Sequence, residues 1–282
     1  MSQITLAPWI AQQLESLLAQ RGHAWLLQGP SGLGQFELAE SLVCVWLCDA
    51  PTAQGACGQC ASCHAIEFAQ RTSGRGRGKA VLLYPAERMN PVTANALLKT
   101  LEEPPGAMRF VLATDAAHLL LPTLRSRCQS HTLSWPAEAE ALAWLAAQGV
   151  AAGEGAALLR AAGGRPAAAL ALAQARDGAH QWALLPRALS RGDVSALADL
   201  PLPEAVARLQ KLCHDLLALQ VGAPPRFFAA AELPERPLPI GVLTRWWGQL
   251  TQAARTAEHP LNAGLAAEWL VSSARQVLNS RA

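Results

Sequence analysis

The chain has 282 residues, of which 51% are hydrophobic and 16% are charged, and its formal net charge at pH 7 is +2. This length favours two or three domains over one core, and the composition excludes an intrinsically disordered protein. A charge this close to neutral gives no reason to predict nucleic-acid binding, which would require clustered cations.

The N-terminal segment, MSQITLAPWIAQQLESLL, has no basic region ahead of a long apolar block, because Glu and Gln interrupt it. We therefore expect no signal peptide. No apolar run reaches the roughly 18 residues that a membrane span requires. We predict a cytoplasmic protein with no membrane partner.

A glycine-rich turn, GPSGLGQF at 29–36, stands between an apolar run at 23–29 and a helix-like run at 35–48. Strand, glycine-rich turn and helix are the layout of a phosphate-binding loop, whose working pattern is G-x-x-x-x-G-K-[ST]. Gly29 and Gly34 occupy the two glycine positions of that pattern. The segment therefore predicts the backbone of a nucleotide loop.

Four positions lack the side chains that nucleotide chemistry needs. Gln35 stands at the lysine position without a charge for the phosphates, and Phe36 replaces the hydroxyl that binds magnesium. Tyr84 and Pro85 follow the next apolar run, where an acidic residue is expected. We therefore predict that the chain binds no ATP as a cofactor and hydrolyses none. Weak binding through N–H groups of the loop stays open.

Cys48, Cys57, Cys60 and Cys63 form the pattern C-x8-C-x2-C-x2-C. Four thiolates with no open position are typical of a structural, tetrahedral zinc site. In a reducing compartment such a group favours a metal over disulfides. We predict a structural Zn²⁺ ion bound by these four residues. The alternatives are a set of unrelated buried cysteines, or replacement of one ligand by the adjacent His64.

Strand-like and helix-like runs alternate in the first half of the chain. Further apolar runs of strand length lie at 80–84, 110–115 and 130–135. Between the first two, the segment NPVTANALLKTLEEPP places Pro91 in a first helical turn and carries apolar residues at helical spacing, and Pro104-Pro105 ends the helix. This alternation predicts an α/β domain with a parallel sheet.

After Pro136 the sequence is rich in Ala and Leu and has helical periodicity with few strand signals. A break in the helical pattern, DGAHQWALLPR at 177–187, marks a second boundary. We predict three parts: an α/β domain at 1–135 with a zinc module at 48–63, a small helical domain at 136–178, and a larger helical domain at 179–282.

Two more segments, NALLKTLEEPP at 95–105 and LRSRC at 124–128, complete a pattern with the cysteine cluster. The chain resembles the clamp-loader subunits of bacterial DNA polymerase III, which belong to the AAA+ family. The resemblance covers the whole chain in layout and residues 20–135 in motif detail. It implies an AAA+-like α/β domain with an inserted zinc knuckle, a small helical lid domain and an all-α C-terminal oligomerisation domain.

Within that family the resemblance implies a subunit with no catalytic site of its own. The gamma/tau subunits share the motifs and the zinc knuckle but keep an intact loop and acidic pair, which this chain lacks. Implied partners are the gamma/tau and delta subunits in an open ring, with the sliding clamp and primed DNA reached through the complex during DNA replication. The chain would be a rigid stator in the DNA polymerase III holoenzyme.

The resemblance also implies that Arg127, of the Ser-Arg-Cys motif, is supplied to the ATP site of a neighbouring gamma/tau subunit. A guanidinium is permanently charged and can fork onto phosphate oxygens across an interface. From the residue alone, an internal ion pair with a carboxylate of the same domain is an equal alternative.

The signature helix carries Lys99, Glu102 and Glu103, and Ser126 precedes the arginine. By analogy with the family, we expect these four residues at a subunit interface. The alternative for the helix is a solvated face on which Lys99 pairs with Glu102 and Glu103 at i,i+3 and i,i+4.

Three further features follow from the resemblance. Thr114 and Arg165 stand where the family places two sensors of bound nucleotide, and without nucleotide we expect Thr114 to be structural. The basic segment RTSGRGRGK at 71–79 is predicted to be a solvated loop rather than a DNA contact. The stretch at 66–79 is also shorter than the family layout.

Two other functions stay open. A gamma/tau-like ATPase with an unusual loop predicts saturable ATP binding with magnesium. A zinc-dependent DNA-binding module predicts DNA binding by the chain alone, with a steep dependence on salt.

Overall fold

The computed structural model describes residues 6–52, 55–60, 62–63, 78–175, 178–257 and 262–280. The chain divides into two compact units. The N-terminal unit extends to Trp144 and includes Arg165–Ala167, and the C-terminal unit contains Leu145–Gly164 and the residues from Ala168 onward. The separate lid and oligomerisation domains expected within the helical part stay a prediction.

A parallel sheet forms the centre of the N-terminal unit. Among the described residues it has four strands, in the spatial order β2-β3-β1-β4, and every neighbouring pair is parallel. The strands are β1 (Ala24–Gln28), β2 (Lys79–Leu83), β3 (Met108–Thr114) and β4 (Gln129–Thr132). The prediction of a parallel α/β sheet is confirmed, and each strand lies within three residues of its predicted bounds.

Among the described residues, the helices of this unit are α1 (Pro8–Leu18), α2 (Gln35–Leu47), α3 (Pro91–Glu102), α4 (Pro122–Arg125) and the first residues of α5 (Glu138–Ala147), whose last residues belong to the C-terminal unit. Helix α3 begins as predicted with Pro91, and the Asn90 side chain caps it by accepting a hydrogen bond of 2.8 Å from the Thr93 N–H. It ends at Glu102, before Pro104-Pro105.

Alternating residues of the strands build two cores, one on each face of the sheet. Ala24 and Leu26 of β1 belong to the cluster that includes Leu101 of α3. Trp25 and Leu27 belong to the cluster that contains residues of α1 and α2. This follows from the two-residue period of a strand, and both clusters hold the sheet in place below the loops that follow its carboxyl ends.

All the secondary structure that the structure describes in the C-terminal unit is helical. Its helices are α6 (Ala152–Ala161), α7 (Pro166–Gln174, whose first residues belong to the N-terminal unit), α8 (Gly178–Arg191), α9 (Ser195–Ala198), α10 (Leu202–Gln220), α11 (Ile240–Thr256) and α12 (Ala263–Leu278). They share one core, in which residues such as Leu189, Leu209, Leu243 and Leu270 are fully buried. No helix in the described part of the chain is long and apolar enough to cross a membrane.

The predicted break in the helical pattern at 177–187 is wrong for the residues described, because α8 is helical from Gly178 through Pro186. Trp182, Leu185, Pro186 and Leu189 form one buried face at i, i+3, i+4 and i+7. Packing of this face outweighs the hydrogen bond that a proline costs a helix.

Candidate functional site

The glycine-rich turn joins β1 to α2, as the sequence predicts. Gly34 precedes α2 with φ +102°, a value that favours glycine. A Cβ atom there would lie 2.6 Å from Cδ1 of Ile10, so a larger residue would also have to displace the Ile10 side chain. The backbone N–H of Gly29 donates to the carbonyl of Thr114 at 3.3 Å, which ties the start of the turn to the end of β3.

The side chain of Gln35, which stands where a working site has lysine, lies inside the turn and contacts its backbone. Gln35 is buried, with 2% of its surface exposed. Its Nε2 donates to the carbonyl oxygens of Gly29 at 2.5 Å and Pro30 at 2.9 Å. The amide therefore closes the loop on itself and presents no charge to a phosphate.

Phe36 and Tyr84, which stand at two of the other positions that lack the side chains of a working site, contact each other. The ring centroids of Phe36 and Tyr84 are 5.5 Å apart, and both residues are about two fifths exposed, at 39% and 40%. The Tyr84 hydroxyl donates to Oδ2 of Asp115 at 3.2 Å. Burial, with the charge of Asp115 second, raises the pKa of Tyr84 to about 12. This hydroxyl is therefore protonated at neutral pH and donates its proton to Asp115.

Both positions that the family uses as nucleotide sensors contact protein atoms. Thr114 is fully buried, and its Oγ1 donates to Oε2 of Glu87 at 2.6 Å and accepts from the Ala116 N–H at 3.1 Å. Arg165 donates from Nη1 to the Ser31 carbonyl oxygen in the glycine-rich turn, at 3.0 Å. The expected structural role of Thr114 agrees with these contacts.

The four cysteines of the predicted zinc module lie together. The Sγ atoms of Cys48, Cys57, Cys60 and Cys63 all lie within 4.8 Å of one another. The Cys48–Cys60 and Cys57–Cys63 distances between Sγ atoms are 3.9 and 4.0 Å. Four thiolates about 3.8 Å apart would surround a zinc ion at a Zn–S distance of about 2.3 Å. The cluster can therefore bind a metal ion with tetrahedral geometry.

Backbone N–H groups point at these sulfurs. The N–H of Cys57 donates to Sγ of Cys48 at 3.2 Å, and the N–H groups of Asp49 and Cys63 donate to Sγ of Cys60 at 3.3 and 3.4 Å. Such bonds lower the pKa of the Cys60 thiol, and those from Gln59 and Cys60 lower the pKa of Cys57 to about 6. Burial raises the pKa of the Cys63 thiol to about 12, so the four thiols do not all favour the thiolate on their own. The N–H donors to the sulfurs of Cys48 and Cys60 nonetheless suit the thiolates that a bound metal requires.

The loops around the cluster are fixed by their own hydrogen bonds. Asp49 accepts from the Ser62 N–H at 3.3 Å and from its hydroxyl at 3.0 Å, which links the two ends of the module. Thr52 and Gly55 form an antiparallel bridge between the first two cysteines. Gly58 has φ +71°, which explains a glycine at this turn although the space beside it is open. His64 lies outside the described residues.

Arg127 forms an ion pair with Glu102, the last residue of α3. Its Nε donates to Oε1 of Glu102 at 2.5 Å, its Nη2 contacts the same oxygen, and its Nη1 donates to the Thr123 carbonyl at 2.9 Å. The internal ion pair considered for this residue is therefore present. The side chains of Arg127 and Glu102 are nonetheless 33% and 49% exposed.

The remaining residues predicted at an interface are exposed too. Lys99, Glu103 and Ser126 lie on the surface of the N-terminal unit, near Arg127 in the sequence or on the same helix as Glu102. Glu102, one of the two carboxylates that a solvated helix face would pair with Lys99, forms an ion pair with Arg127. The Ser126 hydroxyl donates to the Thr123 carbonyl at 3.1 Å. Of the basic segment at 71–79, residues 71–77 lie outside the described residues.

Sequence reasoning missed three acidic residues of this region. Glu87 binds Thr114, Asp115 binds Tyr84, and Asp49 binds Ser62. Asp115 directly follows β3, and an acidic residue at the carboxyl end of a parallel strand is a signal that could have identified it. Glu87 and Asp49 lie in turns and carry no comparable pattern.

Comparison with known proteins agrees with these motifs. A family profile described as "DNA polymerase III, delta subunit" matches residues 8–72 and 67–136. DNA polymerase III subunit delta' of Escherichia coli is 35% identical over 272 residues, covering 82% of this chain and 80% of that protein. The delta' subunit of Pseudomonas aeruginosa is 39% identical over 171 residues, covering 49% of this chain and 52% of that protein.

A solved structure of a gamma subunit-related protein of DNA polymerase III from Thermotoga maritima aligns over 95% of this chain and 99% of its own. The sequence identity is 17% and the TM-score is 0.47. A likeness at this level adds nothing to the fold described above.

Proposed function

Because the chain belongs to the family of DNA polymerase III delta' subunits, we propose that it is a clamp-loader subunit that hydrolyses no ATP itself. In this proposal it supplies Arg127 to the ATP site of a neighbouring gamma/tau subunit. The complex then loads the sliding clamp on primed DNA during replication, and the chain acts in the cytoplasm as a rigid stator of that complex.

The observation that carries this proposal is the occupation of the nucleotide loop by Gln35. Its amide bonds to the carbonyls of Gly29 and Pro30 take the place of contacts to a phosphate. Phe36 and Tyr84 pack on each other where a working site needs a magnesium ligand and an acidic residue. ATP binding would have to break these contacts without gaining a charged partner.

Arg127 supports the role at a neighbour's site. It lies at the surface, and its contact with Glu102 is an exposed pair of the kind that contributes about 0–1 kcal/mol. Contact with a desolvated γ-phosphate is worth far more, since an arginine finger speeds phosphoryl transfer by roughly 10³–10⁵. The internal pair therefore does not prevent Arg127 from acting across an interface.

For the cysteine cluster we propose structural zinc, held by Cys48, Cys57, Cys60 and Cys63. The spacing of the sulfurs and their backbone N–H donors support it. A zinc ion with four thiolate ligands supplies no catalysis and stabilises the fold of the loop between α2 and β2.

The interface with gamma/tau is proposed to include Lys99, Glu102, Glu103 and Ser126, which are all exposed and of which Glu102 contacts Arg127. The delta subunit is the other direct partner. The helical residues are proposed to form a lid domain at 136–178 and a domain at 179–282 that joins the subunits into a ring.

Two measurements test the proposal on the purified chain. Titration with ATP and magnesium is expected to give no saturable binding, and copurification with gamma/tau and delta subunits is expected to give a defined stoichiometry. Saturable ATP affinity would favour a gamma/tau-like ATPase instead. Tight, salt-sensitive DNA binding without partners would favour a DNA-binding module.

A further inference from the structure

The ion pair between Arg127 and Glu102 joins two motifs that lie 25 residues apart in the chain. Glu102 ends the helix that carries LLKTLEE, and Arg127 is the arginine of Ser-Arg-Cys. From this contact we propose that Glu102 is a positioning residue for Arg127. It holds the guanidinium of Arg127 in the orientation in which this group can contact the phosphate of a neighbouring subunit's ATP. The inference rests on the proposed function of Arg127.

The geometry leaves the outer edge of the guanidinium available. A guanidinium has five N–H donors in a rigid plane. Oε1 of Glu102 faces Nε and Nη2, and the Thr123 carbonyl accepts from Nη1. These contacts use three donors and leave one N–H on each of Nη1 and Nη2. Two such donors match the bidentate contact that arginine makes with phosphate.

Helix stability does not explain a carboxylate at this position. Glu102 is the last residue of α3, and Glu103 follows it as the C-cap. Negative charges at the C-terminal end of a helix are unfavourable because the helix dipole is negative there. Its exposed pair with Arg127 also adds little to folding stability. The presence of a carboxylate at position 102 is therefore explained by the orientation of Arg127 and not by the stability of the helix.

The negative charge of Glu102 does not prevent Arg127 from binding a phosphate. The carboxylate is about half exposed, at 49%, so solvent and salt screen it. An arginine side chain without such a contact samples many rotamers and must be ordered when it meets the phosphate. Glu102 and Thr123 order it in advance, as pre-organised catalytic groups require.

The test uses the reconstituted complex of this chain with gamma/tau and delta subunits, sliding clamp and primed DNA. Glu102→Ala is expected to lower the DNA-stimulated kcat by about tenfold, less than the roughly 10²-fold that a 1 Å misplacement can cost. The KM for ATP is expected to change by less than about twofold, since the neighbour holds the nucleotide. Glu102→Gln, which keeps an oxygen acceptor, is expected to lie between Glu102→Ala and the unmodified chain.

The double variant Glu102→Ala/Arg127→Ala separates positioning from an independent role. If Glu102 acts through Arg127, the double variant has the same kcat as Arg127→Ala alone. Glu15→Ala is the matched control, because Glu15 is an exposed carboxylate of α1 in the same unit and outside the proposed interface, and it is expected to leave kcat unchanged. The unfolding midpoint of each variant chain is expected to match that of the unmodified chain.

The possible failures are distinguishable. If Arg127→Ala lowers kcat but Glu102→Ala behaves like Glu15→Ala, the positioning role is wrong and the proposed function stands. Additive losses in the double variant, or a fall in the unfolding midpoint that accounts for the loss, would also overturn the positioning role. If Arg127→Ala leaves kcat unchanged, the proposed function itself is wrong and the inference fails with it.

Discussion

The ring of Phe36 lies 5.5 Å from the ring of Tyr84 and packs against it, at the two positions where an ATP site needs a hydroxyl and an acidic residue. Phe36 follows Gln35 at the start of α2, and Tyr84 follows β2. The two residues that replace the hydroxyl and the acidic residue therefore contact each other. Restoring one half of the nucleotide site has to disturb this contact without completing the other half.

The double variant Gln35→Lys/Phe36→Ser is expected to have no ATPase activity. It restores the lysine and hydroxyl of the loop, but Tyr84 and Pro85 still stand in place of the acidic residue that magnesium requires. It also removes the bonds of Gln35 to Gly29 and Pro30. ATPase assays on the purified chain check the first point. Activity above that of the unmodified chain would show that Tyr84 and Pro85 do not prevent magnesium binding as proposed.

The cysteine cluster is expected to bind one zinc ion per chain. Cys57→Ser is expected to remove the metal, because a structural site loses its closed thiolate shell with any ligand. Metal analysis of the purified chain measures this directly. Cys44→Ser is the matched control, since burial raises the pKa of the Cys44 thiol to about 11 and it lies outside the cluster. Retention of zinc in Cys57→Ser would contradict the assignment of ligands.

The Asp215 carboxylate is expected to be among the most important side chains for the stability of the C-terminal unit. It is fully buried and accepts the N–H groups of Arg226, Phe227 and Phe228 at 2.7–2.9 Å. Asp215→Ala would remove the shared acceptor of these three donors, of which the Phe228 N–H is buried and the other two are partly buried. Hydrogen bonds to a charged group contribute about 1.5–3 kcal/mol each. We expect the free energy of unfolding to fall by more than about 3 kcal/mol.

Chemical denaturation measures this loss. Asp199→Ala, at an exposed aspartate of the same unit, is the matched control and is expected to change stability by less than about 0.5 kcal/mol. An equal, small effect of both substitutions would show that the loop at 226–228 does not depend on Asp215.

Two adjacent tryptophans of α11 are expected to behave differently. Trp246 is 1% exposed and donates from Nε1 to the Ser273 hydroxyl at 3.2 Å, whereas Trp247 is 40% exposed. Trp246→Ala is expected to lower the free energy of unfolding by about 3–5 kcal/mol, and Trp247→Ala by less than about 1 kcal/mol. Denaturation of the two variants checks this, and a loss for Trp247→Ala as large as for Trp246→Ala would contradict the burial described.

Local sequence patterns predicted the elements of the N-terminal unit well. Pro91, the apolar spacing after it and Pro104-Pro105 define α3, because capping and periodicity act within a few residues. The cysteine cluster was predictable for the same reason, since its ligands lie in one short segment.

The same local patterns failed where tertiary packing determines whether a segment is helical. The segment at 177–187 predicts a break, but its residues from Gly178 onward lie inside α8, because Trp182 and Leu189 on the same face are buried in the core. Helix α1 was not predicted, although it buries a clear apolar face that includes Ile10 and Leu14. Helix α11 lies within the predicted helical domain, but its bounds were not predicted. Local propensity is a weak prior when tertiary contacts supply most of the stability of a helix.

The site itself was predictable in part. The missing charge at Gln35 can be read from the loop pattern, but its bonds to two loop carbonyls depend on how the turn closes. Sequence reasoning left Arg127 between an internal pair and a role at a neighbour. It did not identify Glu102 as the partner, because the contact joins the end of a helix to a loop 25 residues away.

The central claim is that Arg127 acts at the ATP site of another subunit. The most direct measurement is the DNA-stimulated ATPase of the reconstituted complex with Arg127→Ala, compared with Arg125→Ala at an exposed arginine of the same segment. The account predicts an intact complex with a lower kcat for Arg127→Ala and an unchanged kcat for Arg125→Ala. Equal kcat values for Arg127→Ala and the unmodified complex would contradict it.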